Sequence, residues 1–201
     1  MKIRNHRLAG DPGESVTFQK SPNQSSPIKP IYLLLHYTAG TTLEGAVSWF
    51  LNPAAQASSH VVIGRDGVIV QMVAFNKKAW HAGESVWGNL HGMNQYAIGI
   101  ELVNAGKLRK RGDGKWENWA SNIIPDTDVT IATHAQETTE AGWHEYTEAQ
   151  IKAAIQVASL LHANYHFTDV LGHEDVSPGR KTDPGPLFPM NSVRSRVLGR
   201  A

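Results

Sequence analysis

Apolar positions along the chain come in a few dense runs, separated by polar, Gly- and Pro-rich stretches. Ile31-Tyr32-Leu33-Leu34-Leu35 and Ile98-Gly99-Ile100-Glu101-Leu102-Val103 have the length and composition of strands buried on both faces. Pro30 opens the first run, where a missing N–H does little harm. Val61–Ile63 and Val68–Met72 flank Asp66-Gly67, a hairpin signal. Thr41 or Thr42 caps a helix running to about Leu51, with Val47, Phe50 and Leu51 inward. Thr147 and Gln150 form a capping-box pair opening a helix to about Tyr165, with Ile151, Ala154, Ile155, Ala158 and Leu161 on one face. Val170-Leu171 reads as a short strand, and the tail from Leu187 as a short helix over one edge.

The remaining segments are less regular. Residues 1–29 form a polar arm, either a hairpin or a draped segment. The stretch 76–94 reads as an irregular loop beside a cleft. Residues 105–146 hold Trp116, Trp119 and Trp143 and few long apolar runs. This reads as an elaborated insertion, serving as a groove wall, a lid or a packing satellite. With no repeat and no second apolar core, residues 30–201 form one α/β domain, a central mixed sheet flanked by helices.

Composition narrows the class. The 201 residues include 19 Lys+Arg and 18 Asp+Glu, a net charge of +1, which argues against a dedicated nucleic-acid binder. The basic cluster Lys107–Arg111 reads as a solvated turn. No transmembrane segment is expected, because no run approaches the ~18 apolar residues that crossing a bilayer requires. The N-terminus lacks the apolar core of a signal peptide, which favours a cytoplasmic or lysin-like location over an exported one. Cysteine is absent, so cysteine nucleophile chemistry is excluded, and no GxSxG elbow is present. Oligomeric state leaves no mark in the sequence.

Candidate chemistry concentrates in VLGHEDVSPGRKTDPGP, residues 170–186. This loop carries His173, Lys181 and Asp183 and is stiffened by Pro178, Pro184 and Pro186. Imidazole and carboxylate are good zinc ligands, so the loop looks like half of a metal site. His36 offers a third ligand at the carboxyl end of a core strand, where open α/β sheets bind ligands; a satisfied core histidine is the alternative. Glu101 sits inside an apolar strand and needs a partner, a raised pKa or a cleft. His162 and His166, spaced i, i+4, lack a third partner of recognisable pattern. His6, His91, His134 and His144 lie in polar context and read as solvated.

Five segments together resemble the zinc-dependent N-acetylmuramoyl-L-alanine amidases of the type-2 family, which includes phage lysozyme-type amidases and peptidoglycan recognition proteins. They are LLLHYTAG (33–40), SSHVVIGRDGVIVQMV (58–73), AWHAG (79–83), NQYAIGIELVN (94–104) and GHEDVSPGRKTDPGP (172–186). The resemblance implies that His36, His173 and Asp183 hold one zinc ion and leave a position open for water. It implies Glu101 as general base and Lys181 as the cation that stabilises the oxyanion. The implied reaction is hydrolysis of the amide between N-acetylmuramic acid and L-alanine in peptidoglycan or muropeptides. Tyr37, His60, Trp80, His81, Asn94 and Arg180 are weaker candidates for substrate contact, with His60 alternatively orienting the cluster. Two other readings stay open: a non-catalytic peptidoglycan-binding module, and a zinc peptidase cutting within the stem peptide.

Overall fold

The computed structural model describes residues 1–200. Its centre is a six-stranded mixed sheet ordered Asp169–Gly172, Tyr32–Tyr37, Ala97–Leu102, Val61–Ile63, Ile69–Gln71, Val16–Phe18. The first four strands run parallel, and the Val61–Ile63/Ile69–Gln71 hairpin turns at Gly67, with φ +85°. Glycine tolerates that left-handed conformation without a Cβ penalty.

Side-chain alternation divides the sheet into two faces. On one, Leu33, Leu35, Ile98 and Ile100 pack against helices α2 (Glu148–Tyr165) and α4 (Met190–Leu198). On the other, Val62 and Val70 meet Val47 and Phe50 of α1 (Leu43–Leu51), while Leu34 and Leu171 meet Ala82 and Met93. Covering both faces explains why the strands read as continuous apolar runs.

Both helix caps are present: Thr42 Oγ1 accepts from Gly45 N, and Thr147 with Gln150 completes a capping box. Details of the buried faces differ from the sequence expectation. Leu51 is exposed. On α2 the deep positions are Gln150, Ala153, Ala154, Val157, Ala158 and Leu161, while Ile151 and Ile155 sit at the flank. Small residues let this helix lie close to the sheet, and Gln150 is tolerated because its Nε2 donates to Val103 O at 2.8 Å.

The N-terminal segment forms a hairpin (Lys2–Arg4, Arg7–Ala9), adds the edge strand Val16–Phe18 and pairs Gln24–Pro27 with Lys77–Ala79. Residues 107–144 form a separate antiparallel five-stranded sheet. It is not a detached lid. His134 and His144, expected to be solvated, are 2% and 5% exposed. His144 Nδ1 accepts from Ala105 N at 3.0 Å, so the imidazole substitutes for a strand partner at the sheet junction. Among the described residues no helix is long and apolar enough to cross a membrane.

Candidate metal centre and its cleft

The parallel register creates the site. His36 lies directly opposite Glu101 on neighbouring strands, so both side chains project from the same face. The strand Asp169–Gly172 pairs on the other side of Tyr32–Tyr37 and delivers His173 at the first position of the short helix α3 (His173–Val176). Asp183 returns ten residues later, its carbonyl accepting from Glu174 N at 2.9 Å. His36, His173 and Asp183 are all buried, and their donor atoms converge: Nδ1 to Nδ1 at 3.0 Å, and Asp183 Oδ2 at 3.0 and 2.9 Å from the two imidazoles. Among the described residues this is the one group of three such side chains close enough to share an ion.

Hydrogen bonds on the far sides of the rings show that the cluster fits a cation. His173 Nε2 faces the Ala82 carbonyl at 3.0 Å and must carry its proton to donate there. Its Nδ1 is then a lone pair. His81 Nε2 faces the Ala97 carbonyl at 3.4 Å, leaving His81 Nδ1 to accept from His36 Nε2 at 3.0 Å. His36 Nδ1 is therefore also a lone pair. Two lone pairs and a carboxylate oxygen pointed at one spot repel unless a cation lies between them. Backing of ligand imidazoles by hydrogen-bond acceptors is the usual arrangement of a metal site. Burial lowers the His36 pKa to about 4, assisted by the neighbouring His173, so this ring is neutral at neutral pH and able to ligate. Burial opposes ionisation of Asp183, so a cation held among these three donors is what would keep its carboxylate charged.

Glu101 shares the cleft but not the cluster. It is 7% exposed, and its Oε2 has no hydrogen-bond partner. Burial raises its pKa well above the ordinary value, Asp183 reinforces the shift and Lys181 opposes it. A buried carboxyl with an unused oxygen in a cleft is poised to accept a proton from a bound molecule. Lys181 lines the same cleft, as do Tyr37, Trp80, His81 and Arg180.

The weaker candidates separate into cleft and support. Tyr37 hydroxyl bonds Thr182 Oγ1 at 2.8 Å, and its ring lies where any Cβ at Gly106 would collide, within 2.4 Å. Burial pushes the Tyr37 pKa up to about 12, keeping the phenol protonated. Trp80 is anchored by its indole N–H to Ser25 Oγ at 3.1 Å. Arg180 Nη2 donates to Ala82 O, Glu84 O and Ser177 Oγ. His81 turns inward onto His36, over Gly99, where an added Cβ would lie 2.7 Å from the imidazole. Asn94 and His60 do not line the cleft. Asn94 Oδ1 accepts from His81 N and Ala82 N, fixing the turn that carries His81. His60 is fully buried, accepts from Gly99 N and donates to Lys77 O, and burial lowers its pKa to about 4.

Further supporting residues escape a reading by motif. Glu174 Oε2 accepts from His134 Nε2 at 2.8 Å and from Gly185 N at 3.1 Å, and Tyr146 donates to Pro184 O at 2.8 Å. Together they clamp both ends of the segment between His173 and Asp183. The adjacency of Glu174 to His173 was the one available hint; His134 and Tyr146 lie in the insertion and gave none. Among the described residues His162 and His166 join no group of three potential ligands, and His166 takes a left-handed C-cap conformation at the end of α2.

With this geometry in place, comparison with known proteins is decisive. Residues 26–186 match the sequence model of the N-acetylmuramoyl-L-alanine amidases, Amidase_2. The chain belongs to that family. It is 35% identical over 143 residues to the 1,6-anhydro-N-acetylmuramyl-L-alanine amidase AmpD of Escherichia coli K12, covering 71% of this chain and 58% of that protein. A crystal structure of an AmpD derivative superposes with a TM-score of 0.68 at 25% identity, covering 98% of this chain and 99% of that one. The E. coli amidase AmiD, solved with anhydro-N-acetylmuramic acid-L-Ala-D-gamma-Glu-L-Lys, gives 0.63 at 28% identity over 86% of this chain and 59% of that one. The chain spans just over half the length of the curated relatives it matches. The family is zinc-dependent, and a site of two histidines and an aspartate that could hold an ion, His36, His173 and Asp183, is present here.

Proposed function

We propose that this protein is a zinc-dependent amidase that hydrolyses the bond between N-acetylmuramic acid and L-alanine in peptidoglycan or muropeptides. The observation that carries the reading is the convergence of His36, His173 and Asp183 beside an unpartnered Glu101 in one open cleft. His36 Nδ1, His173 Nδ1 and Asp183 Oδ2 would hold one zinc ion. When bound, zinc supplies Lewis acidity that polarises a carbonyl and acidifies water.

The chain's own residues supply the rest. Glu101 accepts a proton from the attacking water on its free Oε2 and passes it to the departing amine of L-alanine. Lys181 places a fixed cation where negative charge develops on the carbonyl oxygen. His81 and Ala82 keep the ligand imidazoles in the tautomer that presents Nδ1 to the ion. Tyr37, with its phenol protonated, adds a hydroxyl to the wall.

Retention of Asp183 disfavours a purely binding role, since a carboxylate donor completes the three-ligand set of a catalytic site. A zinc peptidase would use the same centre on a different carbonyl. Digestion of purified muropeptides with mass analysis tests the choice. The amidase releases peptides with free N-terminal L-alanine and leaves sugar without peptide. Fragments cut inside the stem peptide, or no cleavage by the zinc-loaded protein, would overturn the reading.

A further inference from the structure

Next to the metal cleft lies a second groove of about 600 Å³ with a different character. It is continuous with the cleft, since Thr38, Ala39, Trp49 and Phe50 line both. Its walls come from the loop after His36, from α1 and from the turn 118–122 of the insertion. None of its lining residues is charged. Two tryptophans lie on it with large exposed areas: Trp49 is 56% exposed and Trp119 79%. Elsewhere in the chain Trp143 is 2% exposed. Large apolar rings left in water beside a catalytic cleft point to a ligand surface.

The exposed platform is built rather than loose. Trp119 Nε1 donates to Ala39 O at 2.9 Å, and Asn118 Nδ2 donates to the same carbonyl at 3.1 Å. Ala39 itself has φ +56°, a conformation that a non-glycine residue holds only under constraint. Asn118 is buried, and its Oδ1 accepts from Ala120 N and Asn122 N, winding the turn around it. The aromatic face is thus fixed before any ligand arrives, which removes part of the ordering cost of binding.

We propose that this groove is a saccharide subsite that receives the glycan neighbouring the muramoyl residue under attack, so that the enzyme favours polymeric glycan over a single muramyl-peptide. The inference rests on the amidase reading and goes further in naming which part of the substrate lies where. Sugar rings present apolar C–H faces that pack on indole and hydroxyls that bond to Thr41, Thr42 and Asn122 along the wall. A stem peptide bears carboxylates and would seek cations; Arg180 and Lys181 line the metal cleft and not this groove. Charge therefore places peptide toward Arg180 and neutral glycan toward Trp119.

The test titrates the zinc-loaded full chain with a peptide-free β-1,4-linked N-acetylglucosamine tetramer and, separately, with a sugar-free L-Ala-γ-D-Glu-L-Lys tripeptide, reading tryptophan fluorescence and binding heat. The wild type should bind the tetramer, and Trp119→Ala should weaken it at least about tenfold, the scale of losing an aromatic anchor. Trp119→Phe should retain most of the binding, and zinc content should match wild type in both. The ratio of kcat/KM for long glycan strands to that for a single muramyl-peptide should fall by a similar factor in Trp119→Ala. Unchanged tetramer affinity in Trp119→Ala, or a loss of tripeptide affinity in that variant as large as the loss for the tetramer, would overturn the subsite. If the wild type cut neither substrate, the amidase reading would fail while the tetramer titration still decided this one.

Discussion

The two sheets of this molecule solve different problems. The central sheet is covered on both faces, and its parallel register sets His36, Glu101 and His173 at adjacent strand ends with little freedom. The five-stranded sheet of 107–144 is antiparallel and exposed along much of its length, with Trp119, Ile123 and Ile131 in water. Its contribution to the centre is indirect: His134 braces Glu174, and Trp143 packs over Gly185 in the ligand loop. The contrast teaches that reactive groups sit where backbone position is over-determined, while the surface beside them is free to be shaped for the ligand.

The comparison can be broken first at the ion. Asp183→Ala should lose zinc, read by metal analysis after dialysis, together with turnover; an unchanged metal content would remove the site. Glu101→Gln comes next. It should keep zinc and lose about 10²–10⁴-fold in kcat, the span attributed to a positioned general base. The same change should stabilise the metal-free fold at pH 8 and not at pH 4. The folded pKa of Glu101 is raised, so its favourable contribution is present below the ordinary value and lost as pH rises through the folded one. Equal melting temperatures for the two proteins at pH 8 would contradict this.

A matched pair of glycines sharpens the contrast further. Gly99→Ala drives a Cβ into the His81 imidazole, and Gly142→Ala drives one into the Trp116 ring at 2.6 Å. The first should weaken zinc binding roughly 10–100-fold, the range for disturbing groups that orient ligands. The second should lower stability while zinc affinity, measured by chelator competition, stays at the wild-type value. Equal effects on zinc would mean that the two sheets are coupled more tightly than their contacts indicate.

The smallest expected effect is a pH dependence. His60 ionises at pH 6.5 in the unfolded chain and near 4 in the core. The unfolded state therefore takes up its proton first, and stability present above pH 6.5 is lost as pH falls toward 4. His60→Gln should flatten part of that slope in metal-free protein; an unaltered slope would place the titration elsewhere.

Much of this was legible in one dimension. Buried strands announce themselves as apolar runs, caps as Thr with Gln three residues on, and the hairpin as Asp66-Gly67, because each depends on near neighbours. His36, His173, Asp183, Glu101 and Lys181 could be named as candidates because five segments resemble one family in order, and the structure adds the convergence of the first three. Orientation was less accessible. Asn94 and His60 lie in equally distinctive segments yet face backbone amides, and the buried face of α2 turned on small residues rather than on its isoleucines. Local sequence was enough for the donor types of the candidate centre, the core strands and the family. Only tertiary structure decided that His81 backs His36 across 45 residues, that His134 braces the ligand loop, and that Trp119 lies next to Ala39. Those pairings join segments distant along the chain, and nothing in local periodicity encodes which distant hydrogen-bond donor will meet which acceptor.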